Sequence, residues 1–303
     1  MDKRMGPFVS IIIPVLNGER TIGDCLVSLL KMDYPSELRE ILVVDNGSTD
    51  RTAEIVKSFP VRYLQEERPG PSAARNKGIE ASTGKILAFT DADCVVTTGW
   101  LQELVRGFDS EETGVVVGEM VPYPPQTPAE RYTAMRKPRM YVHTSSHPNF
   151  PWFETGNVAF RRKVFDHIGL FDPQILTGED VDISWRFFQN KNFKLVHRPK
   201  SVVFHRHRVT TWGLFKQYQG YGYGQAILSR KYRGKLSWDW RRELRAYGDI
   251  SLAILALARA AILFMIKGRD ATRFSYLCCD LACKLGARIG FIRGTLRRES
   301  EYG

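Results

Sequence analysis

No C-x-x-C pair occurs in the chain, and its five cysteines (Cys25, Cys94, Cys278, Cys279 and Cys283) are an odd number without zinc-knuckle spacing. That argues against a disulfide scaffold or a structural zinc site and predicts reduced, mostly buried thiols in a cytosolic setting. The six histidines include no H-E-x-x-H. Lys3 and Arg4 are not followed by the apolar core and small-residue cleavage site of a signal peptide. Internal repeats and low-complexity tracts are also missing. What is there, 303 residues with 43% apolar and 25% charged side chains, has the proportions of a globular chain. Its length suits one large α/β domain with an appendage, or two modest domains.

Charge is thin over most of the sequence. The first 229 residues hold 28 Lys/Arg against 26 Asp/Glu. Residues 230–303 hold 16 against 7, so +9 of the formal +11 lies in the last quarter. A tail of that sign predicts an anionic surface as partner. Within it, residues 250–266 are apolar except for Ser251 and Arg259. A helix of that length reaches about 25 Å, short of a ~30 Å hydrocarbon core, and carries an arginine near its middle. The run therefore reads as an interfacial helix among headgroups, flanked by Arg241, Arg242, Arg245, Lys267 and Arg269, or as a buried core or dimer helix. An apolar helix interrupting the basic tail favours lipid over nucleic acid.

Along the first third, β-branched runs at 8–15, 41–44, 61–64 and 85–90 alternate with helical patterns at 21–30, 52–59 and 72–81. This predicts βαβ units around a mixed, mostly parallel sheet flanked by helices. Residues 118–155, rich in proline and aromatics, read as a long functional excursion. Regular patterning returns at 157–167, in a helix at 181–188 and in a strand at 201–204. The segment from Trp212 through Gly220-Tyr221-Gly222-Tyr223-Gly224 reads as a glycine-hinged aromatic lid or as a static packing segment.

Chemistry concentrates in carboxylates. Asp91-Ala92-Asp93 ends an apolar strand. Two carboxylates at i and i+2, where a strand breaks into a loop, converge on a hard divalent cation such as Mg²⁺ or Mn²⁺, or else form a solvated helix-capping turn. Asp45 lies at another strand's carboxyl end, where open sheets place ligands, and is equally suited to making a turn. Arg75 meets a phosphate or a surface salt bridge. Glu179-Asp180 opens a helix, as caps or as bases. In His205-Arg206-His207-Arg208, strand alternation turns both imidazoles the same way, toward a metal and diphosphate or as part of a basic patch.

Together these stretches resemble the family 2 inverting glycosyltransferases of the GT-A fold. The matching pieces are Ser10-Ile11-Ile12-Ile13-Pro14-Val15-Leu16-Asn17-Gly18-Glu19, Val43-Val44-Asp45-Asn46-Gly47-Ser48-Thr49-Asp50 and Gly70-Pro71-Ser72-Ala73-Ala74-Arg75-Asn76-Lys77-Gly78. Phe89-Thr90-Asp91-Ala92-Asp93, Thr155-Gly156-Asn157 and Thr177-Gly178-Glu179-Asp180-Val181-Asp182-Ile183-Ser184-Trp185-Arg186 complete the set.

The resemblance, over residues 8–225, implies a GT-A domain at 1–225 and a basic helical region at 226–303. Residues 1–117 would form the nucleotide-sugar half, and 118–225 the acceptor half. Pro14, Val15, Glu19, Asp45, Arg75, Asp91, Gly156, Asn157 and Glu179 would bind the donor, with Asp45 reading the base, usually uracil. Asp91, Asp93 and His205 would hold Mn²⁺ or Mg²⁺, and Asp180 would be the catalytic base. The implied reaction moves a sugar from a nucleotide-sugar donor, UDP-linked by this resemblance, to a hydroxyl acceptor. A lipid-linked glycan or envelope polysaccharide is the expected acceptor, at the cytosolic face of an anionic membrane.

Two further readings compete. A sugar nucleotidyltransferase needs a glycine-rich loop with a basic residue after the first strand, which Leu16-Asn17-Gly18-Glu19 does not supply. A non-catalytic carbohydrate- or membrane-binding descendant would have lost carboxylates such as Asp91, Asp93 and Asp180, all of which are present.

Overall fold

The computed structural model describes residues 6–136, 142–143, 151–233, 240–267 and 271–296. The chain divides into two compact units, Met1–Tyr123 with Arg139–His205, and Pro124–Pro138 with Arg206–Gly303.

The elements begin with β1 (Val9–Val15), α1 (Ile22–Leu30), β2 (Arg39–Asp45), α2 (Thr52–Lys57) and β3 (Arg62–Gln65). Next come α3 (Pro71–Ala81), β4 (Ile86–Thr90), β5 (Cys94–Val96), α4 (Trp100–Arg106) and β6 (Thr113–Pro122). After α5 (Pro128–Arg136) follow β7 (Val142–His143), β8 (Trp152–Phe153), β9 (Asn157–Arg161), α6 (Lys163–Ile168), α7 (Glu179–Gln189) and β10 (Lys194–His205). The chain continues through α8 (Thr211–Lys231), α9 (Trp240–Lys267) and α10 (Ala271–Leu296).

In the first unit the main sheet has the order β3-β2-β1-β4-β9-β6-β10-β5. Its strands run parallel except β9, antiparallel to β4 and β6, and β5, antiparallel to β10. The unbroken apolar run of β1 follows from burial on both faces. Ile11 and Ile13 pack with Ile22 and Leu26 of α1, while Ile12 faces Ile79 of α3 and the Phe89, Phe160 and Phe165 cluster.

The early strands and helices lie where periodicity places them. The segment at 118–155 differs from the expectation. It starts inside β6 and contains α5, while 137–141 and 144–150 lie outside the described residues. Gly118 masked β6, because it breaks an otherwise strand-like run. A Cβ there would lie 2.3 Å from the Asn157 side chain and from the Ser201 carbonyl oxygen, so the strand needs glycine for close approach.

The second unit is helical, and the boundary expected at 225 falls inside α8. The lid reading of 212–224 is corrected here: the segment is continuous helix. A Cβ on Gly222 would stand 1.9 Å from the Ala287 carbonyl oxygen, and one on Gly290 1.9 Å from that of Gln219. The glycines let two backbones meet rather than supply a hinge. Asp280 of α10 is buried and accepts from Tyr132 (3.0 Å) and Arg136 (3.1 Å) of α5, with Lys284 at 2.7 Å. Cys279 and Cys283 lie in an apolar cluster with Ala129, Tyr132 and Leu214, while Cys278 is half-buried.

The apolar helix also differs from the expected 17-residue run. α9 has 28 residues, about 42 Å at 1.5 Å per residue, because its helix starts ten residues earlier. Its stretch Leu244–Leu263 is long and apolar enough to cross a bilayer by length and composition, and 6% of it is buried. That exposure excludes a buried core helix in the structure of this chain.

Candidate functional site

The site gathers at the carboxyl ends of β1, β2 and β4. In the parallel ladder Pro14 pairs with Val44 and Val15 with Asp45. Asp45 is buried and accepts from the Ser48 N–H and the Tyr63 hydroxyl, each at 2.8 Å. Burial first, and Asp45 second, push the Tyr63 phenol up to about 12, so it remains a donor at neutral pH.

The loop after β1 is tied to the loop after β2. Asn17 takes a left-handed conformation (φ 52°) and accepts from the Thr49 N–H at 2.9 Å. Glu19 is exposed and accepts from the Arg51 N–H at 3.3 Å. Glu19 thus clamps two loops together, at the edge of the Pro14–Val15–Asp45 cluster.

Arg75 is set by α3. Gly70, at φ 110°, turns the chain into that helix. Asn76 exchanges hydrogen bonds with the backbone of Phe171, at 2.8 and 3.0 Å, and Ser72 donates to Ile175 at 3.1 Å. These contacts lock α3 to the segment leading into α7, which starts after Gly178 at φ 89°. Arg75 thereby reaches Glu179 at 2.7 Å and Asp91 at 3.0 Å. Burial alone would lower its pKa, but Glu179 and then Asp91 more than offset that, and the guanidinium is held charged. Both terminal nitrogens point to protein carboxylates, and Nε is buried without a partner. In this structure the guanidinium bridges the loop of Asp91 and the first residue of α7, Glu179.

Beside that bridge Asp91 and Asp180 lose their ordinary strength. Asp91 is raised chiefly by burial, against the pull of Arg75, with Asp93 adding repulsion. Asp180 is pushed up to about 8 by burial, then by Glu179 and Glu154. Ser184 donates to the Asp180 carbonyl at 2.6 Å and accepts from the Phe153 N–H at 3.1 Å, fixing the first turn of α7 against β8. His205 lies 3.3 Å from Asp93. Burial opposes its charge, yet Asp93, Asp91 and Glu154 raise its pKa. β10 ends at His205, so the alternation expected to align His207 with it does not extend that far.

One carboxylate oxygen each from Asp91 and Asp93, an imidazole nitrogen of His205 and Sγ of Cys94 lie within 4.8 Å of one another. Two hard carboxylates and an imidazole fit Mn²⁺ or Mg²⁺. Gly156 keeps the space open, since a Cβ there would come 2.8 Å from Asp91 Oδ2.

Asn157, expected among the donor-binding residues, is placed within the sheet. It is buried, its amide nitrogen donates to the Glu119 and Ser201 carbonyls at 2.9 and 3.0 Å, and its oxygen accepts from Trp100 at 2.7 Å. Both amide hydrogens are thus used inside the sheet, and Asn157 braces the strand that follows Gly156. Reading the sequence missed Glu154, which bears on both Asp180 and His205. Its place just before Thr155-Gly156-Asn157 was the available signal. Cys94, directly after Asp93, reads from the sequence only as a reduced thiol.

A family model, Glycosyl transferase family 2, matches residues 10–169, just over half of the chain. Glycosyltransferase AglE of Haloferax volcanii is 38% identical over 183 residues, 58% of this chain and 59% of that protein. The chain thus spans less than two thirds of that relative. The mannosyltransferase PcManGT of Pyrobaculum calidifontis, solved with GDP-Man and Mn²⁺, superposes with TM-score 0.65 at 19% identity, covering 98% of this chain and 89% of its own. S. aureus TarS 1-349 in complex with UDP superposes with TM-score 0.52 at 18% identity, covering 96% and 93%. These likenesses show the fold, GT-A, with helices on both faces of a mixed sheet. By the motifs it carries and the model it matches, the chain belongs to glycosyl transferase family 2.

Proposed function

We propose that the protein is a metal-dependent inverting glycosyltransferase that moves a sugar from a nucleotide-sugar donor to a hydroxyl acceptor. The observation that carries this reading is the double ion pair of Arg75. It joins the loop of Asp91 and Asp93 to the helix start of Glu179 and Asp180, residues far apart in the chain.

Pro14, Val15 and Asp45 form the rim on which the base sits, with Asp45 accepting from a base N–H while Tyr63 and Ser48 hold its carboxylate in place. A UDP donor is the favoured reading. Asp91, Asp93 and His205 would hold Mn²⁺ or Mg²⁺, which supplies charge neutralisation for the leaving diphosphate when bound. Asp180 accepts the proton of the attacking hydroxyl at one carboxylate oxygen, since a hydroxyl is a poor nucleophile near neutral pH. Glu179 stays paired to Arg75 and fixes the base beside it. Inversion follows from attack on the face opposite the leaving group.

α9 supplies the seat. Leu244, Leu252, Leu255 and Ile262 are 60%, 65%, 65% and 52% exposed, and the basic character of residues 230–303 complements anionic lipid. The chain would work on the cytosolic face of a membrane, where a lipid-linked or envelope glycan presents its hydroxyl.

The test is release of sugar from a panel of UDP- and GDP-sugars with Mn²⁺, with and without a chelator. Asp91→Ala and Asp180→Asn are each expected to lower turnover by about a hundredfold or more. Transfer that survives chelation, or that is untouched by both substitutions, overturns the reading.

A further inference from the structure

The cation cluster contains an atom that a hard-metal site does not require. Cys94 opens β5 and pairs with His205 across the antiparallel β5–β10 ladder. Residues directly opposite in such a ladder project their side chains from the same face. Cys94 is fully buried, and its Sγ lies in the same 4.8 Å group as the Asp91, Asp93 and His205 ligand atoms. The second thiol nearby, Cys25, is differently engaged: its Sγ approaches the Asp91 carbonyl oxygen at 3.6 Å, and it stands outside that group.

Resting on the metal-site reading above, we infer that Cys94 is a recruitable fourth ligand, giving this site a binding mode for the thiophilic ions Zn²⁺, Co²⁺ and Cd²⁺ alongside its hard-ion mode. Mg²⁺ and Mn²⁺ favour the carboxylates and leave the sulfur as the apolar floor of the site. A softer ion prefers tetrahedral nitrogen and sulfur donors, with metal–sulfur bonds of about 2.3 Å and metal–nitrogen bonds near 2.0–2.1 Å. Ligand atoms of such a site stand roughly 3.5 Å apart, so closure from 4.8 Å takes side-chain rotation rather than a new backbone. As the sulfur–metal bond forms, the thiol proton passes to solvent. Four protein ligands close the coordination that a substrate diphosphate would otherwise share, so thiophilic ions should hold the site in an unproductive form.

Co²⁺ alone, titrated into the full chain, tests this by absorption. The expected result is a near-ultraviolet sulfur-to-cobalt charge-transfer band that saturates with the visible cobalt bands at one equivalent. Cys94→Ser should remove the ultraviolet band and keep the visible ones, whereas Cys25→Ser should keep both. In direct competition, Cys94→Ser should weaken Cd²⁺ by about tenfold or more while moving Mn²⁺ far less. Visible cobalt absorption without the charge-transfer band in the unmutated chain overturns the inference and leaves the hard-ion site standing. Absence of any one-equivalent cobalt spectrum overturns both. Should Cys94→Ser fail to fold, Asp93→Asn replaces it. A charge-transfer titration that moves to higher Co²⁺ by about tenfold assigns the sulfur to this cluster, and one that does not move assigns it elsewhere and refutes the proposal.

Discussion

Arg75 carries two ion pairs from a side chain 4% exposed; its partner Glu179 is nearly as enclosed at 11%, while Asp91 meets solvent at 31%. Buried pairs of this kind add little net stability but are costly to break on one side. Arg75→Met should therefore cost about 3–5 kcal/mol in denaturant unfolding, because Glu179 and Asp91 lose their counter-charge. Asp180 makes the opposite kind of statement. Its carboxyl, at 3.8 in an unstructured chain, is raised to about 8 in the fold. Between those values the folded state holds a proton that the unfolded state has released, so the contribution is full below pH 3.8 and lost as pH rises through about 8. Asp180→Asn removes this dependence, and its melting temperature relative to the parent should be more favourable near pH 9 than near pH 5. The same shift predicts that, for the proposed transfer, the acid limb of kcat/KM lies above the usual carboxylate range in the parent protein. The acids of this site were legible as residues but their strengths were not, since burial and the Arg75 bridge join segments separated by about a hundred positions.

At the scale of elements, glycine misled where its neighbours were out of sight. The tract around Gly222 has the composition of a hinge, yet the structure makes it a helix because glycines of α8 and α10 let the backbones touch. Two substitutions separate the roles of glycine. Gly290→Ala places a Cβ 1.9 Å from a carbonyl oxygen and should cost about 1–3 kcal/mol through overpacking. Gly248→Ala, on α9 with nothing within 4 Å, should instead stabilise by about 1 kcal/mol through helix propensity, so thermal melts of the pair should move in opposite directions. β1, β2 and β4 were readable because burial on both faces writes them as apolar runs, and β3, the half-exposed edge strand, was readable from the short run between two helical patterns. β5, α4 and most of β6 were not, being short or interrupted by a glycine whose reason lies in Asn157 and Ser201.

Across the whole molecule, charge and apolar surface are divided unevenly along the chain, and residues 230–303 hold most of the positive excess. The expected behaviour is adsorption to vesicles containing anionic lipid. A double substitution Leu255→Glu and Ile262→Glu on exposed positions of α9 should reduce it by about tenfold or more in a flotation assay, with the fold retained by circular dichroism. Undiminished flotation would remove the membrane from the picture. The first unit has a different organising feature, its reversed strands. β9 runs against β4, so Asn157 stands beside Thr90. A parallel neighbour would have brought the residues that follow it to the ligand-bearing rim. An inverted one delivers those that precede it, which is how Gly156 arrives next to Asp91, and Glu154 near Asp180 and His205, without a crossover of their own. Lengthening or recomposing the segment upstream of β9 therefore changes what stands beside Asp91 while leaving the sheet's pairing intact, a route by which one scaffold can be refitted at its rim.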